Sequence, residues 1–305
     1  MESDPVLTLA DLESWSRPEP SLTVLGHPIG HSLSPPMHNA ALAQLSRGDP
    51  RFSGWRYFRF DIAPEDLPRA LGLLRQKHFR GVNLTVPHKV IAFDLVAATD
   101  GRARPVGAVN TLLSTPAGWR GFNTDGYGLR MGLRAALGLD LARASVLLLG
   151  AGGAARSAAV EALQCGCAAL WLANRSQKRR DALLSLLRPL AGPIPVRAFD
   201  PADSADFETG AIVINSTSAG LRPGDGSPLD LGRLPRPAGV YDMIYNPPRT
   251  PLLLLAEKAG IPCANGLSML VHQGAKALEI WTGVPAPELA PAMAAAVERL
   301  GKANG

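Results

Sequence analysis

The stretch Val146-Leu-Leu-Leu-Gly-Ala-Gly-Gly-Ala-Ala155 decides the fold of this chain. Its four consecutive apolar residues predict a buried parallel strand, its glycines a sharp turn, and the alanine-rich segment after them the start of a helix. The free N–H groups in the first turn of such a helix can bind phosphate. A glycine-rich turn also serves any tight strand-to-helix connection, but here a second apolar strand follows at the spacing of a dinucleotide fingerprint. The stretch therefore predicts a doubly wound α/β domain that binds a dinucleotide.

The second strand of this fingerprint ends at Asn174-Arg175-Ser176, where an NAD site places an Asp or Glu for the ribose 2′-hydroxyl. Arg175, with Lys178, Arg179 and Arg180 on the next turn, would instead accept a 2′-phosphate. For Lys178 and Arg180 a solvated helix face is the alternative interpretation. The predicted cofactor is NADP(H).

Composition bounds the remaining possibilities. A chain of 305 residues with 46% hydrophobic and 19% charged residues is expected to form two globular domains. The formal charge of +5 is spread along the chain without a long basic run, so no nucleic-acid partner is expected, whereas anionic small molecules suit the charge. No apolar run reaches membrane-spanning length, and the first residues do not resemble a signal peptide. Three cysteines are too few for a disulfide framework, which predicts a protein of the reducing cytoplasm. No further ligands accompany them, so no metal is expected.

Strands and helices alternate through both halves of the chain, which predicts α/β architecture twice over. Residues 1–20 are interpreted as a polar, proline-containing extension. The first domain is predicted at residues 21–126, and the second, with the glycine turn, at residues 127–269. Helices at Ser268–Trp281 and Pro287–Leu300 are expected to pack back on the first domain, which makes it discontinuous and adds residues 270–305 to it.

Three loops of the first half have compositions that folding alone does not require. The first, Gly26 to Asn39, concentrates hydroxyls, imidazoles and an amide in a segment that leaves a strand, where open α/β sheets build their sites. Ser34, followed by two prolines, also fits a helix N-cap. The three histidines of this loop suggest a metal site, but no paired carboxylates accompany them.

The second loop, Asn83 to Lys89, places a lysine in the first turn of a predicted helix, His88–Ala98, where the helix dipole disfavours a cation. A lysine that is partly desolvated in a cleft can exchange a proton with a substrate, and a surface lysine is the alternative. The third loop, Gly121 to Gly126, contains Asp125, which either caps the following helix or forms an acid–base pair with Lys89 beside a nicotinamide.

Together these motifs identify the chain as similar to the shikimate dehydrogenase family. The resemblance extends from about residue 21 to residue 300. It includes the three loops, the glycine turn with residues 174–176, and three later segments: Asn215–Gly220, Tyr241–Pro247 and Asn265–Ala275. It implies a substrate-binding domain first and an NADP-binding domain second. The small departures, Ser176 for the common Thr and Leu84 for a β-branched residue, leave the chemistry unchanged.

The resemblance also implies the site residues. The catalytic pair would be Lys89 and Asp125. Substrate would be bound by both of them and by Ser32, Ser34, Thr85, Asn110, Tyr245 and Gln273. The cofactor would contact Gly150, Ala151, Gly152, Gly153, Ala154, Asn174, Arg175, Ser176, Arg179, Thr217, Met243, Gly266 and Met269.

The implied activity is the reversible NADPH-dependent reduction of 3-dehydroshikimate to shikimate, a small carboxylate, on the way to aromatic amino acids. One rival is a quinate or quinate/shikimate dehydrogenase that uses NAD. Arg175 and the Ser32-Leu33-Ser34 run, where quinate-preferring relatives tend to place Thr second, speak against it. A non-catalytic ligand-binding relative is the other rival, and the presence of both Lys89 and Asp125 speaks against that. The sequence does not determine the oligomeric state, and a homodimer is one possibility.

Overall fold

A computed structural model describes residues 5–200, 207 and 209–303 of the chain. These residues divide into two compact units. The first unit continues to Thr124 and resumes at Val271, and the second is Asp125–Leu270. Each unit contains its own six-stranded sheet.

The first unit is built on a mixed sheet. Its strands are β1 (Ser21–Gly26), β2 (Arg56–Asp61), β3 (Gly81–Leu84), β4 (Ala98–Thr99), β5 (Thr111–Thr115) and β6 (Gly118–Phe122). Its helices are α1 (Leu9–Glu13), α2 (Ser34–Gly48), α3 (Leu67–Gln76), α4 (His88–Ile91), α5 (Ala103–Val106), the greater part of α10 (Leu267–Thr282) and α11 (Ala286–Ala303). The strand order is β2-β1-β3-β5-β6-β4; β1 pairs in parallel with β2 and β3, whereas β5 is antiparallel to both of its neighbours.

The second unit is a fully parallel sheet. Its strands are β7 (Ser145–Leu149), β8 (Ala169–Ala173), β9 (Val196–Ala198), β10 (Ile212–Asn215), β11 (Gly239–Asp242) and β12 (Cys263–Asn265). Its helices are α6 (Asp125–Leu137), α7 (Gly153–Gln164), α8 (Gln177–Ala191) and α9 (Pro251–Lys258). The order β12-β11-β10-β7-β8-β9 is the doubly wound arrangement in which the chain starts at the centre and reverses direction between β7 and β10. Ligands bind at such a reversal, outside the carboxyl ends of the strands.

The predicted α/β fold class with a doubly wound second sheet is confirmed, but two local predictions are wrong. The helix expected at His88–Ala98 ends at Ile91, and after a short 3₁₀ turn the chain forms strand β4. Strand β6, absent from the prediction, pairs antiparallel with β5. Its sequence, Gly-Trp-Arg-Gly-Phe, contains two glycines, which weaken a strand, so pairing with β5 supports the strand where local preference is weak.

Part of the predicted N-terminal extension is packed into the first unit. Leu7 forms a parallel bridge with Phe60 on the outer strand β2. Leu12, on α1, is 0% exposed and belongs to the same apolar core as β1 and β3, and Trp15 packs against this core. The segment therefore contributes apolar burial to the first unit. Residues 1–4 lie outside the described residues.

The last two helices complete the first unit. Helix α11 lies against α2. At the end of α10, the indole N–H of Trp281 donates to the backbone oxygen of Leu112 at 2.9 Å. The same indole occupies the space where a side chain at Gly81 would lie, so a glycine is required there. This contact seats α10 on β3 and β5, and with it the residues near Gln273.

Candidate active site

The loop between β1 and α2 is held by two side chains of β2. The guanidinium of Arg59 donates to the Gly30 oxygen at 2.6 Å, and Asp61 accepts the backbone N–H of Ile29 at 3.3 Å. Asp61 also pairs with His27, whose Nδ1 lies 2.6 Å from the carboxylate. Charge-assisted contacts of this kind fix the path of the loop before it reaches its serines.

Ser32 and Ser34 lie next to each other at the end of this loop. The Ser32 hydroxyl accepts the backbone N–H of Ser34 at 3.3 Å. Helix α2 begins at Ser34 itself, with Leu33 at the N-cap and no side-chain cap bond, so the alternative of Ser34 as N-cap is wrong. Burial raises the pKa of the Tyr57 phenol, close to Ser34, well above its usual value.

The second loop follows β3. Thr85 continues the pairing with β1 by donating its N–H to the Leu25 oxygen at 3.0 Å, and its own oxygen accepts the His88 N–H at 2.8 Å. His88 is fully buried, and its Nε2 donates to the oxygen of Ile62 at 2.9 Å. Burial lowers the pKa of His88, which keeps the ring neutral beside Lys89.

Lys89 lies in the first turn of α4, as predicted. Its side chain is half-buried, and its backbone oxygen accepts the N–H of Val109 at 2.9 Å. That bond ties the lysine to the segment that contains Asn110.

Asn110 is the centre of the third group of polar residues and is only 2% exposed. Its Oδ1 accepts the backbone N–H of Thr124 at 2.8 Å, and its Nδ2 donates to the Thr124 hydroxyl at 2.9 Å and to Gln273 Oε1 at 3.4 Å. Thr111 donates to the same Oδ1 at 3.1 Å. Asn110 and Gln273, 163 residues apart in sequence, are thus brought together.

Beneath these residues lies a buried pair that sequence reasoning did not assign. The Tyr57 hydroxyl donates to Asn83 Oδ1 at 2.7 Å, and Asn83 Nδ2 donates to the Asn110 oxygen and the Thr111 hydroxyl, both at 3.0 Å. These bonds give a continuous chain of hydrogen bonds from Tyr57 through Asn83 to Asn110. Tyr57 lies in a strand remote from the motifs, so no sequence signal could have found it.

Asp125 is the first residue of α6 and of the second unit, one peptide bond after Thr124. Within this unit the start of α6 lies close to α7. Arg130 Nε lies 3.2 Å from the buried carboxylate of Glu161, and a side-chain carbon at Gly126 would lie 2.7 Å from that same carboxylate. Because Gly126 has no side chain, the two helices can approach closely, and the ion pair links them.

The glycine turn joins β7 to α7. Gly150 has a φ of +118°, and a side-chain carbon there would lie 2.6 Å from the Ser216 hydroxyl, so glycine is required by the protein's own structure. Gly152 and Gly153 differ, because a side-chain carbon at either would enter open space. Helix α7 starts at Gly153 without a side-chain cap, which leaves its first N–H groups available. This open, uncapped cradle, which includes Ala151 and Ala154, fits a pyrophosphate.

The segment after β8 lies at the next strand of the same sheet edge. Arg175 and Arg179 are exposed, and Ser176 caps α8 by accepting the Arg179 N–H at 3.4 Å. Asn174 Nδ2 donates to the Ser176 oxygen at 2.8 Å, which shapes the turn. A cation and a second helix N-terminus here are suited to an anion at the ribose end of a dinucleotide.

Thr217 follows β10, Met243 follows β11, and Gly266 and Met269 lie around the start of α10. The backbone N–H of Met269 donates to the Tyr241 hydroxyl at 3.1 Å. Asp242, not predicted as part of any site, is 0% exposed, and burial raises the pKa of its carboxyl. Burial also raises the pKa of the Tyr245 phenol.

In the described part of the chain, no group of three or more His, Cys, Asp or Glu side chains is placed to hold a metal ion. Of the three loop histidines, His27 pairs with Asp61 and His38 is buried against Tyr57, with ring centres 4.0 Å apart. Among the described helices, none has the length and apolar character needed to cross a membrane.

Known proteins share the sequence features of this chain. Residues 24–112 match the model of the shikimate dehydrogenase substrate binding domain, and residues 266–298 match the shikimate 5′-dehydrogenase C-terminal domain. The NADP(+) shikimate dehydrogenase of Citrifermentans bemidjiense is 42% identical over 270 residues, which is 87% of this chain and 90% of that protein.

Solved structures agree with the sequence comparison. Shikimate 5-dehydrogenase from Thermus thermophilus, in complex with NADP(H) and shikimate, has a TM-score of 0.78 and 34% identity, covering 91% of this chain and all of that one. The enzyme from Listeria monocytogenes, in complex with shikimate and NAD, has a TM-score of 0.78 and 29% identity, covering 90% and 97%.

Proposed function

Because this chain belongs to the shikimate dehydrogenase family, we propose that it catalyses the reversible NADPH-dependent reduction of 3-dehydroshikimate to shikimate, in the synthesis of chorismate and aromatic amino acids. The observation that supports this most directly is the convergence of Asn83, Asn110 and Gln273 in one hydrogen-bonded network. A polyhydroxylated carboxylate needs such a set of neighbouring donors and acceptors.

The cofactor NADP(H) supplies a hydride to the ring carbonyl carbon when it is bound. The uncapped start of α7 at Gly153 and the open space at Gly152 would hold its pyrophosphate. Arg175, with Asn174, Ser176 and Arg179, would hold the 2′-phosphate. Thr217, Met243, Gly266 and Met269 would line the nicotinamide end.

The substrate would lie against the first unit. Ser32 and Ser34 are neighbouring hydroxyls that can donate to its carboxylate. Asn110, Gln273 and Thr85 carry donors and acceptors suited to ring hydroxyls, with Asp125 and Tyr245 completing the set.

Lys89 and Asp125 are proposed as the acid–base pair. As the carbonyl oxygen gains negative charge, the ammonium of Lys89 donates a proton to it, and in the reverse direction the amine takes that proton back. Asp125 would bind the neighbouring hydroxyl of the substrate.

Initial rates with shikimate and quinate, each with NADP⁺ and NAD⁺, test this proposal. We expect shikimate with NADP⁺ to give the highest kcat/KM of the four combinations. A preference for quinate would overturn the substrate assignment, and a preference for NAD⁺ would overturn the cofactor assignment. Absence of turnover with all four, despite ligand binding, would favour a non-catalytic relative.

The homodimer left open by the sequence is tested by analytical ultracentrifugation, in which a single species at the 32.1 kDa monomer mass would contradict it. The cytoplasmic location rests on the low cysteine content and is tested by cell fractionation.

A further inference from the structure

A buried carboxylate lies at the carboxyl end of β11, within the second unit. Asp242 accepts three hydrogen bonds: from the Thr250 hydroxyl at 2.7 Å, from the Ile244 backbone N–H at 3.0 Å, and from Asn215 Nδ2 at 3.0 Å. Its side chain is 0% exposed. Leaving three donors at a buried carboxylate without an acceptor would cost free energy. The positions of all three donors therefore depend on this one residue.

Through its contact with Asn215, Asp242 also helps to fix the loop after β10. Because Asn215 Nδ2 faces Asp242, its Oδ1 must face the other way, where it accepts the backbone N–H of Thr217 at 3.0 Å and the Thr217 hydroxyl at 2.8 Å. The Thr217 hydroxyl in turn accepts the N–H of Ala219 at 3.1 Å. The position of Thr217 therefore depends on which way the Asn215 amide points.

Through its contact with Ile244, Asp242 also helps to fix the segment after β11. The oxygen of Ile244 accepts the Gly266 N–H at 3.1 Å, and the Met243 N–H donates to the Asn215 oxygen at 2.9 Å. A side-chain carbon at Gly266 would overlap the Met243 carbonyl. Met243 and Ile244 are thus held by Asp242 on one side and by the Gly266 backbone on the other.

We propose that Asp242 is a positioning residue for the nicotinamide end of the cofactor site. Through Asn215 it fixes the position of Thr217, and through Ile244 it fixes the backbone position of Met243. Its contact with Thr250 connects both segments to the start of α9. The inference rests on the proposed function, in which Thr217, Met243 and Gly266 line the nicotinamide. Asn174 and Arg175, at the adenosine end, lie outside this network, so its loss should affect the two ends of the cofactor differently.

The chemistry of the three donors separates two variants. In Asp242→Asn, the retained oxygen still accepts from Ile244 and Asn215. The new amide group donates to the Thr250 hydroxyl, which rotates so that its oxygen becomes the acceptor. In Asp242→Ala, all three donors lose the carboxylate, and Asn215 Nδ2 keeps only its longer contact with the Ala219 oxygen at 3.5 Å. The asparagine variant is therefore the matched rescue of the alanine variant.

The test measures the Kd of NADPH and of 2′,5′-ADP, which carries the 2′-phosphate but no nicotinamide, together with kcat. For Asp242→Ala we expect NADPH affinity and kcat each to fall by about tenfold or more, while 2′,5′-ADP binding changes by less than about twofold. Asp242→Asn should stay within about threefold of the wild type in all three quantities. Asp140→Ala, which removes a partly exposed carboxylate of the same unit that pairs with Arg134, should change none of them.

An equal loss of NADPH and 2′,5′-ADP binding in Asp242→Ala would overturn the proposal, because it would show a general structural role. Unchanged NADPH binding and kcat would overturn it as well. If circular dichroism shows that Asp242→Ala does not fold, Asn215→Ala replaces it, since this variant cuts the link to Thr217 alone and must show the same separation between the two ligands. A wild-type protein that binds NADPH but does not turn over shikimate would refute the proposed function and leave this ligand comparison intact.

Discussion

The side chain of Asn110 binds Thr124 twice: its Oδ1 accepts the Thr124 backbone N–H at 2.8 Å, and its Nδ2 donates to the Thr124 hydroxyl at 2.9 Å. These two bonds determine which way the amide points and therefore which group it presents towards Gln273. They also fix the residue that immediately precedes Asp125. Asn110 thus combines a proposed substrate contact with control of the segment that leads into α6.

Replacing Asn110 by alanine should impair substrate binding more than cofactor binding. The change removes a donor and an acceptor and leaves the Thr124 N–H unsatisfied, so we expect kcat/KM for shikimate to fall by about 10- to 100-fold. The Kd of NADPH measured without substrate should stay near the wild-type value. Thr115→Ala, which removes a hydroxyl in the β5–β6 turn, is the matched control. An unchanged KM for shikimate in Asn110→Ala would contradict the assignment.

Replacing Lys89 by methionine should reduce kcat strongly. Methionine keeps an unbranched apolar stem but has no proton to donate, and loss of a general acid costs about 10²- to 10⁴-fold. NADPH binding should be unaffected. Lys77→Met, at the end of α3, serves as control and should keep wild-type turnover. Should Lys89→Met keep kcat within several-fold of the wild type, the acid–base role would be wrong.

Replacing Arg175 by alanine should discriminate between the two cofactors. A charge-assisted contact to the 2′-phosphate contributes about 1.5–3 kcal/mol, so the KM for NADPH should rise by about 10- to 100-fold. The KM for NADH, which lacks this phosphate, should hardly change. Lys178→Ala is the control, since a solvated helix face was the alternative for that residue. Equal effects on both cofactors would refute the 2′-phosphate contact.

Replacing Leu12 by alanine should destabilise the first unit. Its side chain is completely buried in a core with Phe60 and Val82, and truncation of a buried leucine costs about 2–5 kcal/mol of unfolding free energy. Val6→Ala, at a position that is 40% exposed, should cost less than about 1 kcal/mol. Urea denaturation measures both. A similar, small effect for both variants would show that α1 does not belong to the cooperative unit.

The stability of the protein should fall in mild acid because of His38. Burial lowers the pKa of this imidazole from 6.5 to about 4, so the folded state favours the neutral ring. A depressed histidine pKa means that the unfolded chain binds the proton more readily, and the contribution to stability is complete above pH 6.5 and is lost as the pH falls from 6.5 towards 4. The loss should reach about 3 kcal/mol.

Urea denaturation between pH 7 and pH 4 measures this loss. His38→Asn cannot take up the proton and should show a shallower pH dependence, although His88 and His272, whose pKa values are also lowered by burial, keep some of it. Identical slopes for the two proteins would exclude His38 as a major source.

Local patterns in the sequence were sufficient for the elements around the glycine turn. The apolar run before Gly150 and the alanines after it predict β7 and α7, because a buried strand and a helix differ in their apolar periodicity. The placement of Lys89 in a first helical turn was also predictable, since Pro87 suits a helix start. Strand β6 was not, because its two glycines weaken the strand signal and the strand depends on pairing with β5 and β4.

Sequence by itself determined the fold class, the nucleotide fingerprint and the residue types available for chemistry, because these depend on contacts between near neighbours along the chain. Only the tertiary structure decided which of these side chains contact each other. The contact of Asn110 with Gln273, the hydrogen bonds of Tyr57 beneath the serines, and the capture of Thr217 by Asp242 through Asn215 join residues that are distant in sequence. Hydrogen bonds need donor and acceptor within about 3 Å and correctly oriented, and a geometry of that precision arises only when separate strands are packed together.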